Sequence, residues 1–208
     1  LDELKQGLEP FSKIRQSVGD EIDIALELHN LWNLPSALKI ANAVADYGAV
    51  WCEDPIPMDN IDSLVDMRQK CSIPICASET VGTRWGFREM FEKRAVDIVM
   101  PDITWTGGIS ESKKIAAMAE CYNLPVAPHD CVGPLTYISG VHLSMNLPNA
   151  LIQEVVRAYI NGWYKDLVTD LPRIDNGYVF LPEGYGLGTD LNPGIFERSD
   201  LMCKVSHI

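Results

Sequence analysis

Six hydrophobic runs in this sequence each end in an acidic residue or a histidine, at nearly constant spacing. Successive members of the series are 26, 26, 23, 27 and 25 residues apart. A single carboxylate after a strand is more often a solvated loop residue or a helix N-cap. A series of six, each emerging from an apolar run, indicates one shared site. The six residues are Glu27, Glu53, Glu79, Asp102, His129 and Glu154.

The first three members of the series, Glu27, Glu53 and Glu79, are all glutamates. Carboxylates that converge on one site repel one another unless a cation joins them. Ligation by oxygen alone suits a hard divalent ion, Mg²⁺ first, with water or substrate completing the shell. We therefore predict Mg²⁺ as the cofactor and these three residues as its ligands. Asp54, beside Glu53, is interpreted as the start of a turn before Pro55.

The next two members, Asp102 and His129, form a predicted acid–base pair. Side chains at the ends of adjacent parallel strands come within hydrogen-bonding reach, and a carboxylate that orients an imidazole and raises its pKa makes a general base. Asp102, rather than the sequence neighbour Asp130, is expected to orient His129. The alternative is a structural histidine bonded to the backbone. A metal beside a base predicts removal of the α-proton of a carboxylate substrate through an enediolate.

The apolar runs that carry these residues alternate with helical segments. Apolar strands joined by helices are typical of a parallel sheet that is buried on both faces. A doubly wound open sheet and a (β/α) barrel both fit, but only a barrel brings all strand ends to one mouth. No GxGxxG motif supports a dinucleotide-binding sheet. The predicted strands are 22–26, 49–52, 73–77, 96–100, 124–127 and 150–153, and the predicted helices after the first are 35–47, 61–69, 85–93, 110–122 and 135–145.

The composition argues against several classes of partner. The chain has 208 residues, of which 47% are hydrophobic, so it can bury a sizeable core. Its net charge of −12, with no basic patch, argues against nucleic acid or an anionic membrane as a partner. No apolar run reaches the roughly 18 residues of a membrane span. The six cysteines form no CxxC pair, so we expect reduced thiols in a cytoplasmic protein.

Six short strings in order carry a family resemblance: ELHNLWNLPSA, WCEDP, ASET, MPDITWTGG, APHD and LIQE. Together they resemble the barrel domain of the mandelate racemase and muconate lactonizing enzyme family of the enolase superfamily. Within that family the sequence is similar to sugar-acid dehydratases of the galactonate dehydratase type. The resemblance implies that the three glutamates bind Mg²⁺ and that Asp102 and His129 form the base dyad. It also implies that Glu154 is protonated and donates to the substrate carboxylate, which requires a raised pKa.

Two further residues narrow the reaction within this resemblance. His29 lies two residues after Glu27, on the same face of the strand end. Similarity to the dehydratases implies that His29 contacts the substrate and is the general acid for the departing 3-hydroxyl group; the alternative is a histidine bonded to a loop carbonyl. Muconate-lactonizing relatives place a lysine at the strand end where DITWTGG has none. Trp105, in that loop, is expected to contact the substrate.

The sequence departs from the family pattern in two ways. The first metal ligand of the family is usually Asp, whereas Glu27 is one methylene longer. A complete barrel needs about 250 residues. We therefore expect residues 1–163 to form an α/β fold that is a partial TIM-type (β/α)7β barrel, with strands 3 to 8 and without the capping domain and first two strands. Residues 164–208 are expected to be a tail that returns toward the capping domain.

The leading functional prediction is a Mg²⁺-dependent dehydratase of a sugar acid, a hydro-lyase that forms a 2-keto-3-deoxy acid. Its partner is then a small-molecule carboxylate, and we expect the full-length protein to be a homo-oligomer. One alternative is a racemase or epimerase with the same dyad and ion. Another is a non-catalytic paralogue or fragment that serves as a binding surface.

Overall fold

The protein is an α/β fold built on a parallel sheet, as the sequence predicts. The computed structural model describes residues 2–202 and 204–205. Strands β1 (Ile24–Glu27), β2 (Ala49–Glu53), β3 (Ile75–Ala77) and β4 (Ile98–Val99) lie side by side in sequence order, all parallel. The helices are α1 (Asp2–Val18), α2 (Leu34–Val44), α3 (Ile61–Lys70), α4 (Thr83–Glu92), α5 (Ile103–Thr106), α6 (Ile109–Cys121), α7 (Pro134–Asn146), α8 (Arg157–Asn161) and α9 (Tyr164–Leu167).

In each of the last two predicted strands, 124–127 and 150–153, only one residue forms β-bridges. Val126 pairs in parallel with Val99 on one side and with Ala150 on the other. Pro125 and Pro128 flank this position and have no N–H group to donate, so a regular ladder cannot extend in either direction. The prediction of six regular strands is therefore wrong for these two. Their assignment to a barrel with strands 3 to 8 stays a prediction.

The main core lies between the sheet and the helices that connect its strands. Helix α2 buries Ala37, Ala41 and Val44, which are three or four residues apart and therefore share one face. The side chain of Asn33 caps this helix by accepting a hydrogen bond from the backbone N–H of Ser36, at 3.0 Å. Fully buried side chains from α3, α4 and α6 complete the layer, namely Leu64, Met67, Phe87, Phe91 and Ile115.

A short antiparallel hairpin in the C-terminal segment was not predicted from the sequence. It pairs β5 (Arg173–Asp175) with β6 (Tyr178–Phe180). The turn between them is Asn176–Gly177, with φ of 49° and 81°. A two-residue hairpin turn favours Asn-Gly because both residues need positive φ, so the sequence did carry a signal for this hairpin.

The segment after residue 163 packs on the rest of this chain. Tyr164 and Val168 are buried in a second cluster with Tyr137, Ile138 and Val141 of α7. Val179 of the hairpin is packed against the same cluster. The boundary predicted between residues 163 and 164, and the return of the tail toward a capping domain, stay predictions.

Among the described residues, no helix is both long and apolar enough to cross a membrane. The cysteines of the described part are free thiols, and Cys203 lies outside it. The free cysteines are Cys52, Cys71, Cys76, Cys121 and Cys131.

Candidate active site

All six residues of the periodic series lie at the edge of the sheet formed by the carboxyl ends of the strands. Glu27 and Glu53 are the last residues of β1 and β2 and pair in register across the ladder. Glu79 follows β3 by two residues, and Asp102 follows β4 by three. Contacts among these side chains join the six residues, with His29 linking Glu27 to Glu79.

His129 and Asp102 form a buried hydrogen-bonded pair. Nδ1 of His129 lies 2.8 Å from Oδ2 of Asp102, and both residues are buried. The other oxygen of Asp102, Oδ1, caps α5 by accepting from the backbone N–H and the hydroxyl of Thr104 and from the backbone N–H of Trp105. Asp102 is thereby fixed by the helix that follows it. Its position is therefore suited to orient the imidazole of His129.

The second ring nitrogen of His129 faces two glutamates. Nε2 lies 2.5 Å from Oε2 of Glu79 and 3.8 Å from Oε2 of Glu154. Burial alone would lower the pKa of His129, but the hydrogen bonds with Asp102 and Glu79 raise it to about 11. The same hydrogen bond to His129 holds the pKa of Glu79 below its usual value. In this geometry both ring nitrogens of His129 are hydrogen bonded to carboxylates, which favours the protonated form of the ring.

Glu154 lies beside this pair and is half-buried. Its Oε2 accepts a hydrogen bond of 2.8 Å from the backbone N–H of Asp130. Burial raises the pKa of Glu154 to about 7, although the nearby His129 opposes the rise. The side chain of Asp130 is turned toward α9, where its Oδ1 accepts from the hydroxyl of Tyr164 at 3.4 Å. Burial likewise raises the pKa of Asp130 to about 7.

Glu27 and Glu53 present two carboxyl groups to each other. Loss of hydration within the site and the adjacent carboxyl group of Glu53 raise the pKa of Glu27 well above its usual value, although part of the residue faces solvent. Oε2 of Glu53 also accepts from Nε1 of Trp51 at 2.9 Å, and Oε1 of Glu27 accepts from the backbone N–H of His29. Two carboxylates held this closely need a shared proton or a cation between them.

The three predicted metal ligands share one region, but Glu79 is turned away from the other two. Within residues 2–202 and 204–205, no three His, Cys, Asp or Glu side chains are already gathered as a metal site. His29 links the two halves, since its backbone contacts Glu27 while its Nδ1 lies 3.6 Å from Oε1 of Glu79. The donor set, all carboxylate oxygen with two groups in mutual repulsion, fits a hard divalent cation. Oε2 of Glu79 is engaged with His129, which leaves Oε1 as the less occupied donor to an ion.

The two predicted substrate contacts, His29 and Trp105, are exposed at the same edge. The side chain of His29 is 64% exposed, and Trp105 is 57% exposed on α5, directly after the Asp102 cap. Both can therefore be reached from solvent, and their roles stay predictions.

Sequence reasoning missed a buried polar network under these residues. Asp54, interpreted as a turn residue, is fully buried and accepts hydrogen bonds from Asn30 and Ser78. Asp54 does adopt a turn conformation, with φ of 38°. An acidic residue that directly follows a predicted ligand and precedes Pro55 looks like any solvated turn, so the sequence held no clear signal.

Comparison with known proteins identifies the family. Residues 2–195 match the family model described as "Enolase C-terminal domain-like". The chain therefore belongs to the enolase C-terminal domain-like family, and the predicted resemblance is confirmed. A solved structure of an enolase of the mandelate racemase subgroup from Agrobacterium tumefaciens superposes with a TM-score of 0.89 at 50% identity, covering 94% of this chain and 53% of that one.

Two curated relatives carry names that specify a reaction. An arabinonate dehydratase of Saccharolobus solfataricus is 33% identical over 97% of this chain and 53% of its own length. A D-xylonate dehydratase of Haloferax volcanii is 35% identical over 91% of this chain and 46% of its own length. The chain thus spans about half the length of the curated relatives it matches.

Proposed function

We propose that the full-length protein containing this chain is a Mg²⁺-dependent dehydratase of a sugar acid. The observation that carries the proposal is the buried Asp102–His129 pair, 2.8 Å apart, at the same strand-end edge as the predicted carboxylate ligands. Enolase-superfamily enzymes use a Lys or His base with Mg²⁺ for α-proton abstraction. The named activities of the arabinonate and D-xylonate dehydratases support dehydration of an aldonate in particular.

Each residue of the candidate site has a separate role in the proposed reaction. Asp102 holds Nδ1 of His129, so Nε2 is the atom that takes the α-proton of the substrate. Nε2 is now hydrogen bonded to Glu79, so this contact must open and the proton on Nε2 must pass to solvent before the ring can act as a base. Glu154, protonated, donates to the substrate carboxylate oxygen where negative charge develops. His29 then gives a proton to the 3-hydroxyl, which leaves as water. Glu27, Glu53 and Glu79 would hold Mg²⁺, which when bound supplies positive charge that stabilises the enediolate.

A library screen tests the proposed reaction directly. The full-length protein is incubated with C4 to C6 sugar acids and Mg²⁺, and formation of 2-keto-3-deoxy acid is measured. We expect product from one or a few acids, with Glu53→Gln binding Mg²⁺ more weakly by calorimetry and nearly inactive, because the metal supplies much of the charge stabilisation. Products of unchanged composition with altered stereochemistry would instead support a racemase or epimerase. Absence of turnover on every acid would contradict the proposal.

His29 decides between dehydration and racemisation. We expect His29→Asn to form little 2-keto product while still exchanging the substrate α-proton with solvent deuterium, provided that abstraction is reversible on the enzyme. The reason is that His29 acts only on departure of the hydroxyl, a step to which a positioned acid contributes roughly 10²–10⁴-fold. Product formation near the wild-type rate would remove His29 from the mechanism. Loss of exchange together with product would show that His29 supports binding or metal geometry.

A further inference from the structure

One buried carboxylate ties together the loops that follow three successive strands. Oδ2 of Asp54, in the loop after β2, accepts from Nδ2 of Asn30 at 2.8 Å and from Oγ of Ser78 at 3.0 Å. Asn30 lies in the loop after β1, and Ser78 lies in the loop after β3. Asp54 and Ser78 are fully buried. The network is therefore shielded from competing water, so each hydrogen bond contributes more to holding its loop in place.

The partners of Asp54 are chain neighbours of two candidate site residues. Asn30 directly follows His29, and Ser78 directly precedes Glu79. Nδ1 of His29 lies 3.6 Å from Oε1 of Glu79. The carboxylate of Asp54 thus spans the two segments whose side chains meet at the site.

The loop that carries His29 depends on these bonds to keep its conformation. His29 and Asn30 have φ of 53° and 57°, a left-handed conformation in two consecutive residues that are not glycine. Such residues are strained and persist only where the surrounding structure holds them. The backbone N–H of Asn30 donates to the backbone carbonyl of Asp54 at 2.7 Å, beside the side-chain bond. Asp54 therefore holds Asn30 at two points.

The loop that carries Glu79 is held from the other side of the same carboxylate. Oγ of Ser78 bonds to Asp54 and lies 3.0 Å from Oγ1 of Thr80, and it accepts from the backbone N–H of Thr80 at 3.3 Å. Glu79 stands between these two hydroxyl residues. A shift of Ser78 would move the backbone from which the Glu79 carboxylate projects.

We propose that Asp54 is a positioning residue that sets His29 and Glu79 relative to each other, through Asn30 on one side and Ser78 on the other. The inference rests on the proposed function for the role of His29, and on the predicted metal site for the role of Glu79. The two hydrogen bonds of Asp54, with Asn30 and with Ser78, should affect different properties of the site. Loosening Asn30 affects the step assigned to His29, whereas loosening Ser78 affects binding of Mg²⁺ by the site that includes Glu79.

The test uses the full-length protein and four variants at the network. Two measurements are made: Mg²⁺ affinity by calorimetry without substrate, and the ratio of 2-keto product formed to α-proton exchanged with solvent deuterium. We expect Asn30→Ala to lower the product-to-exchange ratio about tenfold with little change in Mg²⁺ affinity. We expect Ser78→Ala to weaken Mg²⁺ binding roughly tenfold, in line with the loss of other groups that orient metal ligands, and to leave the ratio unchanged.

Two variants at Asp54 separate positioning from folding. Both bonds go to Oδ2, and Oδ1 has no partner among the described protein atoms. Asp54→Asn can therefore keep the acceptor and should stay close to wild type in both measurements. Asp54→Ala removes the acceptor and should lower both the Mg²⁺ affinity and the product-to-exchange ratio. If Asp54→Ala does not fold, Asn30→Ala and Ser78→Ala still decide the question, since each leaves the buried carboxylate with one partner.

The matched control is Asn42→Ala. Asn42, on α2, also holds a backbone segment through its side chain, with Nδ2 donating to the carbonyl of Lys70 at 3.2 Å and Oδ1 accepting from the backbone N–H of Ser72 at 2.7 Å. These contacts lie before β3, at the opposite end of the strands, so neither measurement should change. Equal effects of Asn30→Ala, Ser78→Ala and Asn42→Ala would overturn the inference. If the wild type forms no 2-keto acid, the proposed function fails, and Mg²⁺ affinity in Ser78→Ala against Asn42→Ala then decides the inference by itself.

Discussion

His129 is hydrogen bonded through both ring nitrogens, and the two contacts have different origins. Asp102 is buried and is fixed by capping α5, so the fold itself holds its hydrogen bond with Nδ1 of His129 in place. Glu79 is also buried, but it is a predicted metal ligand, so we expect its bond to Nε2 to open when metal and substrate bind. This difference supports the proposal that Asp102 orients the ring and that Nε2 transfers the proton.

If Asp102 acts through His129, as proposed, the effects of substituting the two residues should not add. We expect Asp102→Asn and His129→Asn each to lower kcat by roughly 10²–10⁴-fold, and the double variant to be no slower than the slower single variant. Steady-state kinetics of all three on the dehydrated acid provides the measurement. The control is His142→Asn, since Nε2 of His142 faces the carbonyl of Leu187 at 3.1 Å, outside the site. Full additivity of the two losses would show that Asp102 and His129 work separately.

Glu154 predicts a pH dependence of the reaction. The charged groups that face it are His129, Glu53 and Asp130, and burial raises its pKa from about 4.5 to about 7. A donor must carry its proton, so Glu154 is competent below pH 7, whereas His129, with a pKa of about 11, must lose a proton to act as a base. Above pH 7 the two requirements offset each other, so kcat/KM should rise about tenfold per pH unit below pH 7 and level off above it. Glu154→Gln keeps a donor that does not titrate, so its pH–rate profile should continue to rise through pH 7. If the profile of Glu154→Gln still levels off near pH 7, another group causes it.

The elements differ in how far their sequences define them. The apolar runs before Glu27 and Glu53 predicted β1 and β2 because such runs fit a parallel sheet that is buried on both faces. The run before His129 has the same hydrophobicity, yet Pro125 and Pro128 remove the donors that a regular strand needs. Periodic spacing nevertheless placed all six residues at one edge of the sheet, because it depends only on where each run ends.

The features of the site that the sequence did not predict depend on particular side-chain contacts rather than on a repeating residue pattern. Helix α5 has four residues, too few for a periodic pattern, and it exists because the Asp102 carboxylate caps it. The direction of the Glu79 side chain, toward His129 rather than Glu27, depends on a partner 50 residues away in the sequence. Asp54 is buried only because three loops close over it. None of these features has a local signature.

The segment after α8 is held to the fold by Tyr164, and this gives a test at the level of elements. Tyr164 is fully buried against α7, and its hydroxyl donates to Asp130. We expect Tyr164→Ala to lower the free energy of unfolding by about 3–5 kcal/mol, as for other buried aromatic residues. Urea unfolding followed by circular dichroism gives the value. Tyr185→Ala is the matched control, because Tyr185 is fully exposed and should change stability by no more than about 0.5 kcal/mol. Equal losses would show that the C-terminal segment is not docked on α7.

At the level of the whole chain, the sheet has an open edge at β1. In the part of the chain that the structure describes, β1 pairs with β2 alone. Beside that edge, α1, β1 and α2 line a groove of about 400 Å³ whose walls include Phe11, Leu26, Leu28 and Ile40. Unpaired backbone groups next to apolar surface form a template for another strand. The net charge of −12 is spread over the whole chain, so it does not by itself block this edge.

The open edge predicts that the 208-residue chain, produced as such, associates in a concentration-dependent way. Ala25 lies in the middle of β1 and is exposed. We expect Ala25→Lys to weaken the association at least about fivefold, because a charge on an edge strand opposes pairing with a second copy. Sedimentation velocity over a range of concentrations gives the measurement. Asn146→Lys, at an exposed position at the end of α7, adds the same charge away from the edge and should leave association unchanged. Equal effects of the two lysines would show that charge alone controls association, and a wild-type chain that stays monomeric would show that the β1 edge is not a template. This association concerns the 208-residue chain, and the homo-oligomer expected for the full-length protein requires its own measurement.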